Sequence, residues 1–165
     1  MARAALNAIE ILKADHREVE ALFEKVRQRT CIGKEREALV REICLALRDH
    51  ATIEEEVAYP AFRAAGVESH ILDEAEVEHD SIKQLIGTLQ SMGANDPHFD
   101  ARVTVLGEYV KHHFGEEERE MFPLAQAADA ELDALGRDLI EMKRQLGAGC
   151  MPRRTRNMLG LGTAI

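Results

Sequence analysis

Apolar residues recur along this chain in steps of three and four, the spacing that gathers them on one face of an α-helix. The first such run, over residues 4–29, carries the stripe Ile9, Leu12, His16, Val19, Phe23 and Val26. Thr30 to Lys34, with Gly33, break it as a turn. A second run, over 35–59, carries Leu39, Ile43, Leu47, His50, Glu54 and Val57. Pro60 is expected to kink or end that helix, and Gly66 to close the segment. A third run covers 68–92 with Leu72, Ala75, His79, Ile82, Ile86 and Leu89, and residues 93–97 form a loop. A fourth, over 98–121, carries Phe99, Val103, Leu106, Val110, His113, Glu117 and Met121. A shorter fifth run, over 130–146, shows Leu132, Leu135, Leu139, Met142 and Leu146 behind Asp129, which suits an N-cap.

Four long amphipathic helices joined by short loops predict an all-α fold, an antiparallel up-down-up-down four-helix bundle with an extra C-terminal helix. Residues 1–146 form this unit. Residues 147–165, with four glycines and the basic cluster Arg153, Arg154 and Arg156, are expected to be a flexible tail without a core of its own.

The stripes are not purely apolar. Each of the four long helices places a histidine on its buried face, and two add a glutamate four residues later. These positions repeat. His16, His50, Glu54 and Pro60 map onto His79, His113, Glu117 and Pro123 by one shift of 63 residues, and an aromatic residue precedes each proline. Such a match reads as an internal duplication that builds one site from two halves. In an antiparallel bundle the four histidines can meet at one level.

Composition narrows the class. The chain has 165 residues, enough for one domain with a real core, and 31% of them are charged. The formal net charge of −9 argues against a nucleic-acid partner, which needs a basic footprint. Without a long apolar run, neither a membrane span nor a signal peptide is expected. Cys31, Cys44 and Cys150 form an odd set without metal-type spacing and fit free thiols in a reducing, cytoplasmic setting.

Burying a carboxylate in an apolar stripe costs several kcal/mol unless it is paired or bound to a metal. Two glutamates and four histidines together exceed the ligand count of a tetrahedral zinc site. Divided by the duplication, each of two metals receives two imidazoles, and Glu54 and Glu117 can bridge both. Imidazole with carboxylate suits iron, with manganese or zinc as lesser candidates. A solvent-derived oxo or hydroxo bridge would complete the pair and leave a position for dioxygen, peroxide or nitric oxide. His112 and Glu116 are also four apart, but the 63-residue shift favours His113 and Glu117, which leaves His112 at the rim. His70 and His98 are expected in solvent. So are Glu55, Glu56, Glu116 and Glu118, as an exposed acidic face. Tyr59 reads first as a helix-terminating, packing residue, with a role beside the metals as the lesser reading.

The set His16, His50-xxx-Glu54, His79 and His113-xxx-Glu117, over about residues 9–125, resembles the hemerythrin-like family, also called HHE cation-binding domains. The resemblance implies a four-helix bundle around a non-haem di-iron centre. The family's oxygen carriers have two histidines four apart on the third helix, whereas the position four before His79 is Ala75 here. Their last carboxylate is a shorter aspartate at another spacing. The chain looks instead like a bacterial subset, with Glu76 and then Glu20 as candidates for the missing ligand.

The resemblance implies a protein that binds or reacts with dioxygen, peroxide or nitric oxide, as a stress-response scavenger with catalase-like turnover. The alternative is an oxygen or iron sensor or store without turnover. A ferritin-like carboxylate oxidase, suggested by Glu76-x-x-His79, ranks last because the pair occurs once.

Overall fold

The computed structural model describes residues 7–28, 32–128 and 130–150, with no side-chain description for 148–150. Helix α1 runs Ala8–Arg27 and α2 Lys34–Ile53. Helix α2 continues through a π-helical turn, Glu54–Ala58, into α3, Tyr59–Ala65. After α4, Ser69–Gln90, the pattern recurs: α5 spans Phe99–Glu116, a second π turn Glu117–Met121, and α6 Phe122–Ala127. Helix α7, Leu132–Cys150, completes the order.

Helices α1, α2, α4 and α5 form the bundle as a closed ring, each packed on the next and α5 back on α1. Helix α7 lies outside, across α1 and α2. This is the expected four-helix bundle with an extra helix. Helix α1 starts later than expected, because Asn7 caps it: its side chain accepts from the Glu10 N–H while Glu10 accepts from the Asn7 N–H. Residues 1–6 and Asp129, the expected N-cap of α7, lie outside the described residues. Helix α7 itself extends to Cys150, so the first four residues of the expected tail are helical. Residues 151–165 lie outside the described residues.

The prolines do not end their helices. A regular helix at Pro60 or Pro123 would press the ring against a carbonyl one turn back. Here the preceding turn widens: the Tyr59 N–H reaches the Glu54 carbonyl and the Phe122 N–H reaches that of Glu117, each five residues back. The helix therefore passes the proline, and the second one stops only at Gly66, whose φ of 96° suits glycine. The extra residue also advances the inward face. Beyond Glu54 the buried positions are Ala58, Tyr59 and Phe62, with Val57 only half-buried.

The core falls into two clusters. One holds Leu12, Ile53, Phe62, Leu72, Phe122 and Leu139. The other holds Val19, Ile43, Ile86, Phe99, Leu106 and Phe114. The buried polar side chains His16, His50, Glu54, His79, His113 and Glu117 accompany these two clusters. Among the described residues no helix is long and apolar enough to cross a membrane.

Candidate metal centre

The bundle brings together the six residues singled out by the duplication. All are at most 3% exposed. Their ligating atoms converge in two groups, His16, His50, Glu54 and Glu117, and Glu54, His79 and His113, each group within 4.8 Å. Glu54 Oε2 lies 3.2 Å from His50 Nε2 and 3.3 Å from His79 Nε2. Glu117 Oε2 lies 3.2 Å from His16 Nε2 and 3.5 Å from His113 Nε2. Each carboxylate thus faces one imidazole from each half of the duplication, the arrangement a bridging ligand needs. The π turns begin at these two glutamates.

Most of the inward atoms lack partners among the described residues, the exception being His79 Nε2 and His113 Nε2, which lie 2.9 Å apart. His16 Nε2, His50 Nε2, both oxygens of Glu54 and Glu117 Oε2 are buried without a hydrogen bond. Native interiors avoid orphaned polar atoms, and several at one point indicate a bound group. Neutral imidazole nitrogens and carboxylate oxygens are metal donors, and a pair of cations would satisfy them and offset the buried charge.

Three of the four outer nitrogens are held by carboxylates, and the fourth, His50 Nδ1, is buried without a hydrogen bond. His16 Nδ1 lies 2.9 Å from Glu118 Oε1, His79 Nδ1 2.8 Å from Glu55 Oε1, and His113 Nδ1 2.7 Å from Glu78 Oε2. His50 Nδ1 faces Asp15 Oδ2 at 3.7 Å. With Nδ1 of His16, His79 and His113 directed at a carboxylate, Nε2 is the nitrogen each turns inward. The 2.9 Å between His79 Nε2 and His113 Nε2 is that of a hydrogen bond, with one of the two carrying the proton. Three carboxylates are anchored by cations: Glu118 by Arg17, Glu55 by Lys83, and Asp15 by Lys143 of α7. Glu55 and Glu118 are therefore not merely an exposed acidic face. Their role was open to the same reading as the ligands, since Asp15 and Glu78, and Glu55 and Glu118, also lie 63 residues apart. Outer carboxylates of this kind change metal affinity by about 10- to 100-fold. Glu118→Ala should weaken binding within that range, as measured by competition with a chelator.

The halves differ in one respect. Tyr59 donates its hydroxyl to Glu117 Oε1 at 2.7 Å, while its counterpart Phe122 has no such group. The Tyr59 ring stacks near His79 and that of Phe122 near His16, both at 5.7 Å. Phe114 stacks directly on His16 at 3.8 Å. Tyr59 is thus more than a helix stop: it binds one of the two central carboxylates.

The two candidates for the missing ligand are elsewhere. Glu76 is 48% exposed and 3.3 Å from Arg63, and Glu20 is 45% exposed and 2.7 Å from Arg17. Each follows an inward position by one or four residues, yet its side chain leaves the bundle. The Glu76-x-x-His79 pair is therefore not convergent, which removes the ferritin-like reading. His112 sits at the rim as expected, 62% exposed.

Burial shapes the charges. It pushes the His79 pKa down to about 4, with help from neighbouring His113, and it lowers that of His50. For His113 burial is outweighed by Glu117 and Glu78, and its pKa rises. Burial and the nearby Glu117 charge raise Glu54 well above the usual carboxylate range. Burial opposes the Glu117 charge as well, but His113 and His16 outweigh it, and its pKa falls. His79 gives a signed prediction for the metal-free protein. A lowered imidazole pKa means that the unfolded chain binds the extra proton. The stability is complete above about pH 6.5 and is lost as pH falls toward 4. Over that window, wild type should lose roughly 3 kcal/mol more than His79→Gln in chemical denaturation.

The comparisons with known proteins agree with this geometry. The Hemerythrin HHE cation binding domain family matches residues 7–148, and the chain belongs to that family. It is 29% identical over 164 residues to the uncharacterized protein Rv2633c of Mycobacterium tuberculosis, covering 97% of this chain and 100% of that one. An uncharacterized protein of Mycobacterium bovis, Mb2666c, matches to the same extent. The crystal structure of an HHE cation-binding-domain protein from Mycobacterium kansasii, a homolog of Rv2633c, superposes with a TM-score of 0.74 at 28% identity, covering 86% of this chain and 87% of that one.

Proposed function

We propose that His16, His50, His79 and His113, with Glu54 and Glu117 as bridges, hold two iron ions, and that the protein consumes a small oxidant, hydrogen peroxide foremost. The observation that carries this reading is the pair of carboxylates, each set between imidazoles from both halves with its inner oxygen unpartnered. Iron is preferred to manganese because the set is rich in imidazole, and to zinc because it could relay electrons from one peroxide to the other. Two peroxides give two waters and one dioxygen, so one peroxide loses two electrons and two protons and the other takes them up.

The chain's own residues prepare the site for this. Of the seven histidines, four converge on the centre, with Ala75 where a carrier has a fifth, and neither Glu76 nor Glu20 fills the place. That leaves room for an exogenous ligand and works against reversible carrying. Phe114 and Phe122 wall the site against bulk water. Tyr59 keeps its proton, because burial and then the charges of Glu117 and Glu54 raise its pKa well above the ordinary value. It offers an O–H beside the centre. Dioxygen and nitric oxide are the other small molecules this site suits. The same reading makes the protein a cytoplasmic scavenger without a nucleic-acid or membrane partner.

The test is dioxygen evolution from peroxide by iron-loaded protein, recorded with an oxygen electrode. Turnover above that of equimolar free iron, absent in His50→Ala/His113→Ala, is expected. Turnover no greater than free iron would favour the oxygen or iron sensor or store, and a stable, reversible oxygen spectrum would favour a carrier.

A further inference from the structure

A cavity of ≈ 90 Å³ opens beside Ala75 and reaches the centre. His113 and Glu117 form its inner end, and Glu74, Glu116 and Glu120 line its sides. Glu117 is 1% exposed, and its Oε2 has no hydrogen-bond partner. Among the described residues no lysine or arginine lines the cavity, and His70 is its other lining imidazole. Two lining residues, Glu78 and Glu116, reach outward to His112, which is not itself part of the lining: its Nε2 lies 3.2 Å from Glu116 Oε1 and 3.3 Å from Glu78 Oε1. Ligating atoms of these three residues lie within 4.8 Å of one another. Glu78 also holds His113 Nδ1, so the rim and the centre share a residue.

The duplication supplies the comparison. A shift of 63 residues carries Glu74, Ala75, Glu116 and Glu120 onto Ile11, Leu12, Ile53 and Val57. Three of these are buried in one apolar cluster with Leu135 and Leu139 of α7, and Val57 packs against it. The first half is thus plugged by Leu12 and covered by α7. The second half keeps the small Ala75 and replaces three apolar residues with three carboxylates. Exposure alone accounts for polar residues there. It does not account for carboxylates of one sign only, or for an opening that ends on a buried carboxylate with one oxygen unpartnered.

Resting on the metal-centre reading above, we propose that this cavity is the inlet through which a divalent cation reaches the centre: Glu74 and Glu120 attract it, Glu116 with His112 and Glu78 hold it at the rim, and Glu117 receives it inside. Clefts lined by one sign of charge raise the local concentration and arrival rate of the opposite ion by about 10- to 1,000-fold.

The experiment follows cobalt(II) uptake by the full-length chain after chelator treatment, using stopped-flow visible absorption for rate and metal analysis for final content. The Glu74→Gln/Glu116→Gln/Glu120→Gln variant should fill at least about tenfold more slowly at low ionic strength, reach the wild-type content and spectrum, and lose most of the wild-type salt dependence. Ala75→Leu, which copies the plug of the first half, should slow uptake at every ionic strength. The triple variant decides the matter if Ala75→Leu does not fold. Equal rates for wild type and triple variant, both ending at two ions, would overturn the inlet alone. A triple variant that fills to fewer ions would also overturn it, since these carboxylates would then be ligands. A wild type that takes up no cobalt would remove the centre and the inlet together.

Discussion

Replacing His50 and His113 together by alanine is expected to abolish metal binding at the centre. Each substitution removes one imidazole from a different group of converging donors, so neither group keeps a full set. Wild-type protein should carry two ions per chain by metal analysis, and the double variant none that survives desalting. Losing the ions also loses stability, because they bind the folded chain and not the unfolded one. At a free-ion concentration of 1,000 times the dissociation constant that linkage amounts to about 4 kcal/mol for each ion. In a chain of this size each kcal/mol shifts the melting temperature by about 2–4 °C. Calorimetry should therefore show chelation lowering the wild-type melting temperature by at least about 10 °C and leaving the double variant where it was. A folded wild type that takes up no iron in the presence of ferrous salt would sink the di-metal reading.

Glu54→Gln should act in opposite directions on the loaded and the stripped protein. In the stripped protein Glu54 is a fully buried carboxylate with neither oxygen bonded, raised well above its usual pKa by burial and by Glu117. A neutral amide of the same shape removes the cost of protonating it, so stripped Glu54→Gln is expected to be more stable than stripped wild type by about 1–3 kcal/mol. With metal present the order reverses. The amide lacks the charge that faces both imidazoles, and affinity should fall by at least about 100-fold. Paired denaturation curves with and without metal check both signs. A variant less stable than wild type in both states would mean that Glu54 is held by something other than metal.

The helices and the six central residues were legible because two signals coincided. The apolar period fixed which face is buried, and the 63-residue repeat fixed which polar residues share that face. The second signal also settled His113 over His112, which is exposed. The π turns left no trace in the apolar period, since one widened turn shifts the phase by only about 100°. The prolines marked them but were open to the simpler reading of a stop. Glu55 and Glu118 were hidden inside acidic runs, where most members do face solvent. What distinguishes them is the histidine on a neighbouring helix, which one helix's pattern cannot reveal. Glu76 lies outside the centre for the converse reason. It lies next in sequence to the inward Ala75, and one residue along a helix turns the side chain by about 100°. The docking of α7 on the first half was not readable from its own stripe, which says that it buries a face but not against what.

The division of the core has a consequence for cooperativity. Two apolar clusters accompany a set of histidines and glutamates whose inner atoms are largely unpartnered, apart from the bond between His79 Nε2 and His113 Nε2. Stripped of metal, the molecule is two lobes joined by continuous helices, and each lobe can open on its own as a separate foldon. Amide hydrogen exchange should then show two protection levels, with the lobe around Phe62, Phe122 and Leu139 distinct from the lobe around Phe99 and Leu106. Metal ties all four helices at one level, and loading should merge the two levels into one. The centre would then act as the rivet that makes two half-domains a single cooperative unit.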